Sequence, residues 1–315
     1  MRIVFLGTPD IAVPSLCALK DAGHDILCVI TKKDKARGRS GQPVPCPVKE
    51  KALELGIPVL HPKKLDDPEL LEKLRSLHPD VFVVIAFGRI LPPAFLAVPK
   101  LGCVNIHASL LPSYRGAAPI QWALIDGRKE TGVTTMLMDE GLDTGDILIR
   151  YPVEIRPEET GGSLFDRLAV LAAEAITDTL PKLEAGKITP TPQGETDTAY
   201  AAQLTRETGA LDWSLSSVQL ERLIRALYPW PGTYSHLEGR LVKFFAGAVC
   251  GEMPAGADPA GVPGELLISP DRRHLYVRTG DGWLEILELQ LEGKKRMTAQ
   301  ALLNGYHFPE HACLR

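Results

Sequence analysis

The sequence lacks an excess of charge of either sign, because its 315 residues carry 35 Lys and Arg against 39 Asp and Glu, a net charge of −4. Proteins that bind nucleic acid through bulk charge are strongly basic, so any RNA contact here requires a local basic patch. The sequence also lacks an apolar run of about 18 residues, the length that a membrane-spanning helix needs. Met1 leads directly into a strand-like run and not into a signal peptide. We therefore expect a cytoplasmic protein, and we expect it to be a monomer.

The six cysteines contain no Cys-x-x-Cys pair, the spacing typical of zinc sites and redox-active dithiols. We expect free thiols, no structural zinc and no other bound metal. Cys103 lies four residues before His107 and could be a nucleophile there. Its position inside an apolar run favours a packed core residue instead.

The chain is long enough for two domains, and the pattern of its apolar runs changes along its length. Runs such as 81–86 are almost continuously apolar and alternate with helical patterns, as in a parallel sheet covered on both faces. We predict a doubly wound, mostly parallel α/β domain over 1–187. A Thr- and Pro-rich segment, 188–203, predicts a linker. Short alternating segments within 204–315 predict a small antiparallel barrel.

Dinucleotide binding is disfavoured in the first domain. Its first strand is followed by Gly7-Thr8-Pro9-Asp10, which lacks the Gly-x-Gly-x-x-Gly spacing that brings the backbone against a pyrophosphate. The ligand of this domain must therefore be recognised by other residues.

Two polar residues, Asn105 and His107, stand at the end of the apolar run 101–106. Alternation along a strand places side chains two residues apart on the same face. A glycine-flanked acidic loop at 138–146 follows another apolar strand, and it offers a carboxylate to the imidazole. In open sheets of this class ligands collect beyond the carboxyl ends of the strands, so we expect these parts to meet there.

The sequence resembles the folate-dependent formyltransferases, whose signature is Asn-x-His-x-Ser-Leu-Leu-Pro and, further on, an Asp in a Leu-Asp-x-Gly turn. Here these motifs are residues 105–112 and 142–145. Other segments are similar to the members of the family that act on methionyl-tRNA, namely 5–10, 45–49, 114–121, 212–214 and 229–232. The resemblance covers essentially the whole chain. It implies a Rossmann-like catalytic domain and an OB-like carboxyl-terminal barrel that assists tRNA binding.

The resemblance implies transfer of the formyl group of the cosubstrate 10-formyltetrahydrofolate to the α-amino group of initiator methionyl-tRNA, which gives N-formylmethionyl-tRNA for translation initiation. In such a transfer negative charge develops on the formyl oxygen, and the attacking amine loses a proton. An amide such as Asn105 and an imidazole such as His107 can stabilise that oxygen, while a carboxylate such as Asp143 favours the protonated imidazole. By resemblance, Asn105, His107 and Asp143 are the catalytic residues.

The resemblance also implies a pocket for the folate, in which the flat pterin edge meets backbone donors and acceptors between apolar walls. Ordinary core packing is the alternative for its apolar side chains. The implied cofactor-binding residues are Phe87, Gly88, Ile90, Leu91, Ser109, Leu110, Leu111, Pro112 and Asp139.

A basic segment without periodicity, 32–43, predicts an exposed loop. Such a run is more often a solvated face than a binding site, but the resemblance implies that Lys35, Arg37 and Arg39 engage the tRNA acceptor end. The family often has Gly-Lys-Lys where this chain has Ser-Gly-Gln at 40–42, so the loop is less basic here. In the second domain the basic candidates are 272–273 and 294–296, and Trp230 is interpreted as a packing anchor.

Other functions agree with parts of the sequence. A sugar-nucleotide N-formyltransferase has the same Asn, His and Asp residues, but the basic loop argues against it. A non-enzymatic RNA-binding protein on this scaffold is disfavoured because all three catalytic residues are intact, and a hydrolase that releases formate is disfavoured by the loop. His107, Asp139, Asp143 and Asp146 could also gather around a metal, although their spacing matches no metal motif.

Overall fold

The structure, a computed structural model, describes residues 1–36, 43–258, 260–309 and 311–315. Its contacts divide the chain into two units. The first comprises Met1–Ile120, Lys129–Glu154 and Leu164–Ala202. The second comprises Gln121–Arg128, Ile155–Ser163 and Gln203–Arg315. Within the described residues, no helix combines the length and the apolar character needed to cross a bilayer.

The first unit contains a seven-stranded sheet in the order β5-β2-β1-β6-β7-β8-β9. The strands from β5 to β7 pair in parallel, whereas β8 and β9 join antiparallel. A separate two-stranded ladder, β3 with β4, flanks residues 37–42. The strands are β1 (Arg2–Gly7), β2 (Asp25–Ile30), β3 (Lys35–Ala36), β4 (Pro43–Val44), β5 (Val59–Leu60), β6 (Val81–Ile85), β7 (Cys103–His107), β8 (Glu130–Leu137) and β9 (Ile147–Glu154).

Helices connect the strands, as in a Rossmann-like fold, and their ends follow local sequence signals. The carboxylate of Asp67 accepts hydrogen bonds from the backbone amides of Glu69 (2.9 Å) and Leu70 (3.5 Å), and Pro68 occupies the first helical position. The helices are α1 (Val13–Asp21), α2 (Pro47–Glu54), α3 (Pro68–Ser76), α4 (Pro93–Leu96), α5 (Pro119–Ile125) and α6 (Gly161–Glu184).

The core of the first unit lies where the continuous apolar strands predict it. All five residues of β6 are buried, and the rings of Phe82 and Phe95 pack 5.1 Å apart. Cys103 belongs to the same core and is 2% exposed. Burial raises the pKa of its thiol to about 12, so this thiol carries almost no thiolate at neutral pH and is a packing residue.

The second unit contains a six-stranded antiparallel sheet in the order β10-β11-β14-β13-β12, with β15 paired to β14. The indole of Trp213 meets the ring of Phe244 edge-on at 5.4 Å in its core. A capping box formed by Ser216 and Gln219 starts its main helix. Its elements are α7 (Ser217–Ala226), β10 (Thr233–Leu237), β11 (Arg240–Val249), β12 (Leu266–Ile268), β13 (Leu275–Arg278), β14 (Trp283–Leu291), β15 (Met297–Thr298) and α8 (Ala299–Leu303).

The expected barrel takes the form of a sheet whose two edges are joined by the last residues of the chain. In the part of the chain that the structure describes, the named strands do not close on each other. Arg315 instead exchanges two backbone hydrogen bonds of 2.9 Å with His236 in β10. The backbone amide of Leu314 donates to the Gly264 carbonyl at 2.8 Å, next to β12.

The interpretation of Trp230 as a packing anchor is wrong, because this residue is 57% exposed.

Candidate active site

Asn105 and His107 lie on β7, in the interior of the sheet. The strand pairs with β6 on one side and β8 on the other, where Asn105 faces Met136 and His107 faces Thr134. Because the two residues are separated by one position, their side chains leave the same face of the sheet. Both are buried, at 8% and 6% exposure. A polar amide and an imidazole are thus held side by side at low exposure.

The two ring nitrogens of His107 have different neighbours. Nε2 lies 2.9 Å from the carbonyl oxygen of Tyr114, and Nδ1 lies 3.8 Å from Oδ2 of Asp143. Because a carbonyl oxygen only accepts, Nε2 carries a hydrogen in both protonation states of the ring. Nδ1 is therefore the ring nitrogen that faces the carboxylate of Asp143.

The loop that carries Asp143 reaches the site by a different route from the one expected. Since β8 is antiparallel to β7, its carboxyl end lies beside the amino end of β7, where the amide of Met138 donates to the Cys103 carbonyl at 2.8 Å. The loop then folds back along the sheet until Asp143 meets His107. Asp143 adopts a left-handed backbone conformation with φ of 54°, and its Oδ2 accepts a 3.0 Å hydrogen bond from the Gly116 amide.

Asp139 stabilises the acidic loop internally. Its carboxylate accepts hydrogen bonds from the Gly141 amide at 3.0 Å and from the Thr144 hydroxyl at 2.8 Å. These bonds close a turn within the loop. The side chain is exposed, so a role in cofactor binding stays a prediction.

The turn after His107 is fixed by hydrogen bonds on both sides. The Ser109 hydroxyl donates to the Ser113 carbonyl at 2.6 Å. Thr134 on β8 donates to the Ser109 carbonyl at 2.7 Å and accepts from the Leu111 amide at 3.1 Å. Arg150 on β9 donates to the Leu111 carbonyl at 2.7 Å. The turn is therefore rigidly attached to the antiparallel strands of the sheet.

The predicted cofactor-binding residues fall into a buried group and a less buried group. Phe87, Leu91, Ser109 and Leu111 are fully buried or nearly so, and Phe87 and Leu91 belong to the core of the first unit. Gly88 has a left-handed φ of 64°. Ile90 is 65% exposed, and Leu110 and Pro112 are half-buried. Only the less buried members leave side-chain surface for a ligand, and the set as a whole stays a prediction.

The structure describes little of the predicted tRNA loop. The backbone of Lys35 pairs with Val44 in the ladder of β3 and β4, whereas Arg37 and Arg39 lie outside the described residues. In the second unit, Arg272 donates to the carbonyl of Leu303 at 2.8 Å. Arg296 pairs with Glu288 and lies over the ring of Phe245 at 4.5 Å. Arg272 and Arg296 therefore have internal packing roles.

A metal centre would require several ligating side chains close together. Among the residues that the structure describes, no group of three or more His, Cys, Asp or Glu is arranged to hold a metal ion. Of the four residues considered for such a centre, Asp139 is engaged within its own loop, and His107 and Asp143 face each other.

Gln193, which the sequence analysis missed, touches the acidic loop. It lies in the segment predicted as a linker. The contacts assign this segment, as far as Ala202, to the first unit. The side-chain amide of Gln193 donates to the carbonyls of Asp143 at 2.9 Å and Gly145 at 2.7 Å. No local sequence signal could have found it, because one glutamine among Thr and Pro residues has no period or motif. The predicted domain limits stay a prediction.

The chain matches two family models, described as formyl transferase over residues 1–180 and as formyl transferase, C-terminal domain, over residues 203–307. The methionyl-tRNA formyltransferase of Caldanaerobacter subterraneus subsp. tengcongensis is 46% identical, covering 100% of both chains. That of Geotalea uraniireducens is 48% identical over 97% of this chain and 95% of the relative.

Solved structures share the fold at lower identity. The N-formyltransferase from Helicobacter canadensis, in complex with folinic acid and dTDP-3-aminofucose, has a TM-score of 0.67 at 18% identity, covering 94% of this chain and 100% of that one. HypX from Aquifex aeolicus, in complex with tetrahydrofolic acid, has a TM-score of 0.62 at 20% identity, covering 100% of this chain and 51% of that one. At these identities the likeness extends to the fold alone.

Proposed function

This chain belongs to the methionyl-tRNA formyltransferase family, and on that premise we propose that it transfers the formyl group of 10-formyltetrahydrofolate to the α-amino group of initiator methionyl-tRNA. The product is N-formylmethionyl-tRNA, the form used in translation initiation. The observation that carries the proposal is the juxtaposition of His107 with Asp143, 3.8 Å apart, on the face of the sheet that bears Asn105.

The residues around Asn105 suit a ligand that presents an oxygen to them. Across the described ranges, the side-chain amide of Asn105 makes no hydrogen bond to another residue, although the residue is only 8% exposed. The amide atoms of Asn105 are not among the fully enclosed polar atoms that lack a partner, so they reach solvent and are open to a ligand oxygen. When bound, 10-formyltetrahydrofolate supplies an activated formyl group to this site.

Asn105 and His107 then have one task each, and Asp143 has two. The amide of Asn105 donates a hydrogen bond to the formyl oxygen as negative charge develops there. His107 in its protonated form presents Nδ1–H to the same region, since Nε2 is engaged with Tyr114. Asp143 stabilises the imidazolium and accepts, directly or through a water, the proton that the attacking amine releases. Delivered to the folate nitrogen, that proton would let the bond to the formyl carbon break and tetrahydrofolate leave.

Recognition of tRNA is part of the same proposal. We assign contacts with the acceptor end to Lys35, Arg37 and Arg39, because family members use a loop at this position. Arginine suits this role, since its planar group can bind phosphate or stack on an unpaired base. We further propose that the enzyme acts as a monomer in the cytoplasm, which light scattering and cell fractionation test.

The proposal is tested by comparing two acceptors. Purified protein is incubated with 10-formyltetrahydrofolate labelled in the formyl group and with either methionyl-tRNA or an amino-sugar nucleotide. We expect label in methionyl-tRNA and none in the sugar. Label in the sugar nucleotide, or release of labelled formate at the same rate with and without tRNA, would overturn the proposal.

A further inference from the structure

A segment of the first unit after α6 runs along the candidate active site. Thr191 exchanges two backbone hydrogen bonds with Ile147, at 2.8 and 2.9 Å. Further on, the Ala201 amide donates to the Arg115 carbonyl at 2.8 Å, and the Ala201 carbonyl accepts from the Ala117 amide at 2.8 Å. Residues 191–201 thus bind at one end to β9, beyond the acidic loop, and at the other end to the turn that follows His107.

The side chain of Gln193 contacts both the acidic loop and the turn that follows His107. The amide nitrogen Nε2 donates to the carbonyls of Asp143 (2.9 Å) and Gly145 (2.7 Å). The amide oxygen Oε1 accepts from Nε and Nη2 of Arg115, at 3.0 and 2.8 Å. Arg115 follows Tyr114, whose carbonyl binds His107.

These contacts require a glutamine specifically. The nitrogen faces the two carbonyls and, at 4.0 Å, the sulfur of Met136, while the oxygen faces two donors of Arg115, so the partners fix the orientation of the amide. A carboxylate of the same size could accept from Arg115 but could not donate to the two carbonyls. An alanine would leave the acidic loop and the turn after His107 without this connection.

We propose that Gln193 is a positioning residue for formyl transfer, which connects the loop carrying Asp143 to the turn that binds His107 and thereby fixes the distance between these two side chains. This inference rests on the proposed function. Asp143 tolerates its left-handed φ of 54°, but it lies on a loop, so its place beside His107 depends on the contacts that hold that loop. The Gly116 amide holds the carboxylate of Asp143, whereas Gln193 holds its backbone.

The test compares Gln193→Ala and Gln193→Glu with wild type in formyl transfer to methionyl-tRNA. Misplacement of a catalytic group by about 1 Å can cost about 100-fold in rate, so we expect kcat to fall about 10- to 100-fold in both variants. KM for the folate and for tRNA should change less than about threefold, since neither substrate contacts Gln193 in this account. Gln203→Ala, which removes an exposed glutamine, is the matched control.

Two further measurements separate positioning from a general loss of structure. The pH dependence of kcat should shift in Gln193→Ala and stay unchanged in Gln203→Ala, because only the former frees the pair His107 and Asp143. A double variant with Arg115→Ala should be no worse than the poorer single variant, since both residues act through one connection. Thermal unfolding of each variant shows whether its fold is intact.

The outcomes distinguish this inference from the proposed function. If wild type formylates methionyl-tRNA and both Gln193 variants keep wild-type kcat and pH dependence, the positioning role is wrong and the function stands. If both variants lose kcat only in proportion to a lost folded fraction, the role is structural and the inference also fails. If wild type forms no N-formylmethionyl-tRNA, the proposed function itself fails.

Discussion

Replacing Asp143 with Asn removes one negative charge from the candidate active site and changes its shape little. The Gly116 amide can still donate to the new side-chain oxygen, and Asn tolerates the left-handed backbone conformation at this position at least as well as Asp. We therefore expect Asp143→Asn to fold normally, with a thermal midpoint close to that of wild type.

The expected loss of activity follows from the distance between the charges. Oδ2 of Asp143 lies 3.8 Å from Nδ1 of His107, and two unit charges about 4 Å apart interact by about 4 kcal/mol at an effective dielectric constant of about 20. Loss of that stabilisation in the transition state corresponds to about a thousandfold in kcat. The substrates should still bind, so KM should change much less than kcat.

The assay is steady-state formylation of methionyl-tRNA at saturating folate. Glu140→Gln, which neutralises an exposed carboxylate of the same loop, is the control and should keep wild-type kcat. A kcat for Asp143→Asn within about tenfold of wild type would show that the charge of Asp143 does not act on His107 in the transition state, because a direct charge interaction at this distance predicts a larger loss. An equal loss in Glu140→Gln would argue against a specific role of this charge as well.

Three further results are expected. Cys103 and Cys28 should resist iodoacetamide at pH 8 in the native protein, because burial raises their pKa values to about 12 and about 11 and only the thiolate reacts; peptide mapping that finds either residue alkylated before unfolding would contradict this. Leu314→Ala should lower the free energy of unfolding by about 2–5 kcal/mol in urea denaturation, because Leu314 is 4% exposed in the core of the second unit. Leu287→Ala, at a site 42% exposed, should cost far less, and equal costs would argue against the packing of the Leu314 side chain in that core. Arg39→Ala should lower kcat/KM for methionyl-tRNA by a factor that corresponds to about 1–3 kcal/mol, and it should flatten the salt dependence of kcat/KM. Release of formyl from the folate without tRNA should stay unchanged. Unaltered use of tRNA over a range of salt would show that the loop is only a solvated run of charge.

Local patterns in the sequence predict much of the fold. The segment 283–291 has a polar residue at every second or third position among apolar ones and forms β14, Trp283–Leu291. The continuous apolar run around Val83 forms a fully buried central strand. These elements are predictable because burial follows the period of the apolar residues.

The site was less predictable, because its geometry depends on contacts between residues distant in sequence. The motif identifies Asn105 and His107, but it does not reveal that β8 runs antiparallel and that the acidic loop must fold back to bring Asp143 to the imidazole. Gln193 looks like part of a linker, because its own segment has a linker composition. Its role comes from hydrogen bonds to residues about 50 positions earlier, which that segment does not reveal. Trp230 is large and apolar, as core residues are, but the folded chain leaves it 57% exposed, which its own sequence position does not reveal.

We propose that formyl transfer to methionyl-tRNA takes place at Asn105, His107 and Asp143. The most direct test of this proposal measures N-formylmethionyl-tRNA formed by wild type, Asn105→Ala and His107→Ala side by side, with saturating folate and methionyl-tRNA and with the fold of each variant checked by circular dichroism. We predict rapid product formation by wild type and a loss of at least about 100-fold in each variant, since each removes a group that stabilises the developing charge. Wild-type turnover in both folded variants, or no product from wild type, would contradict the claim.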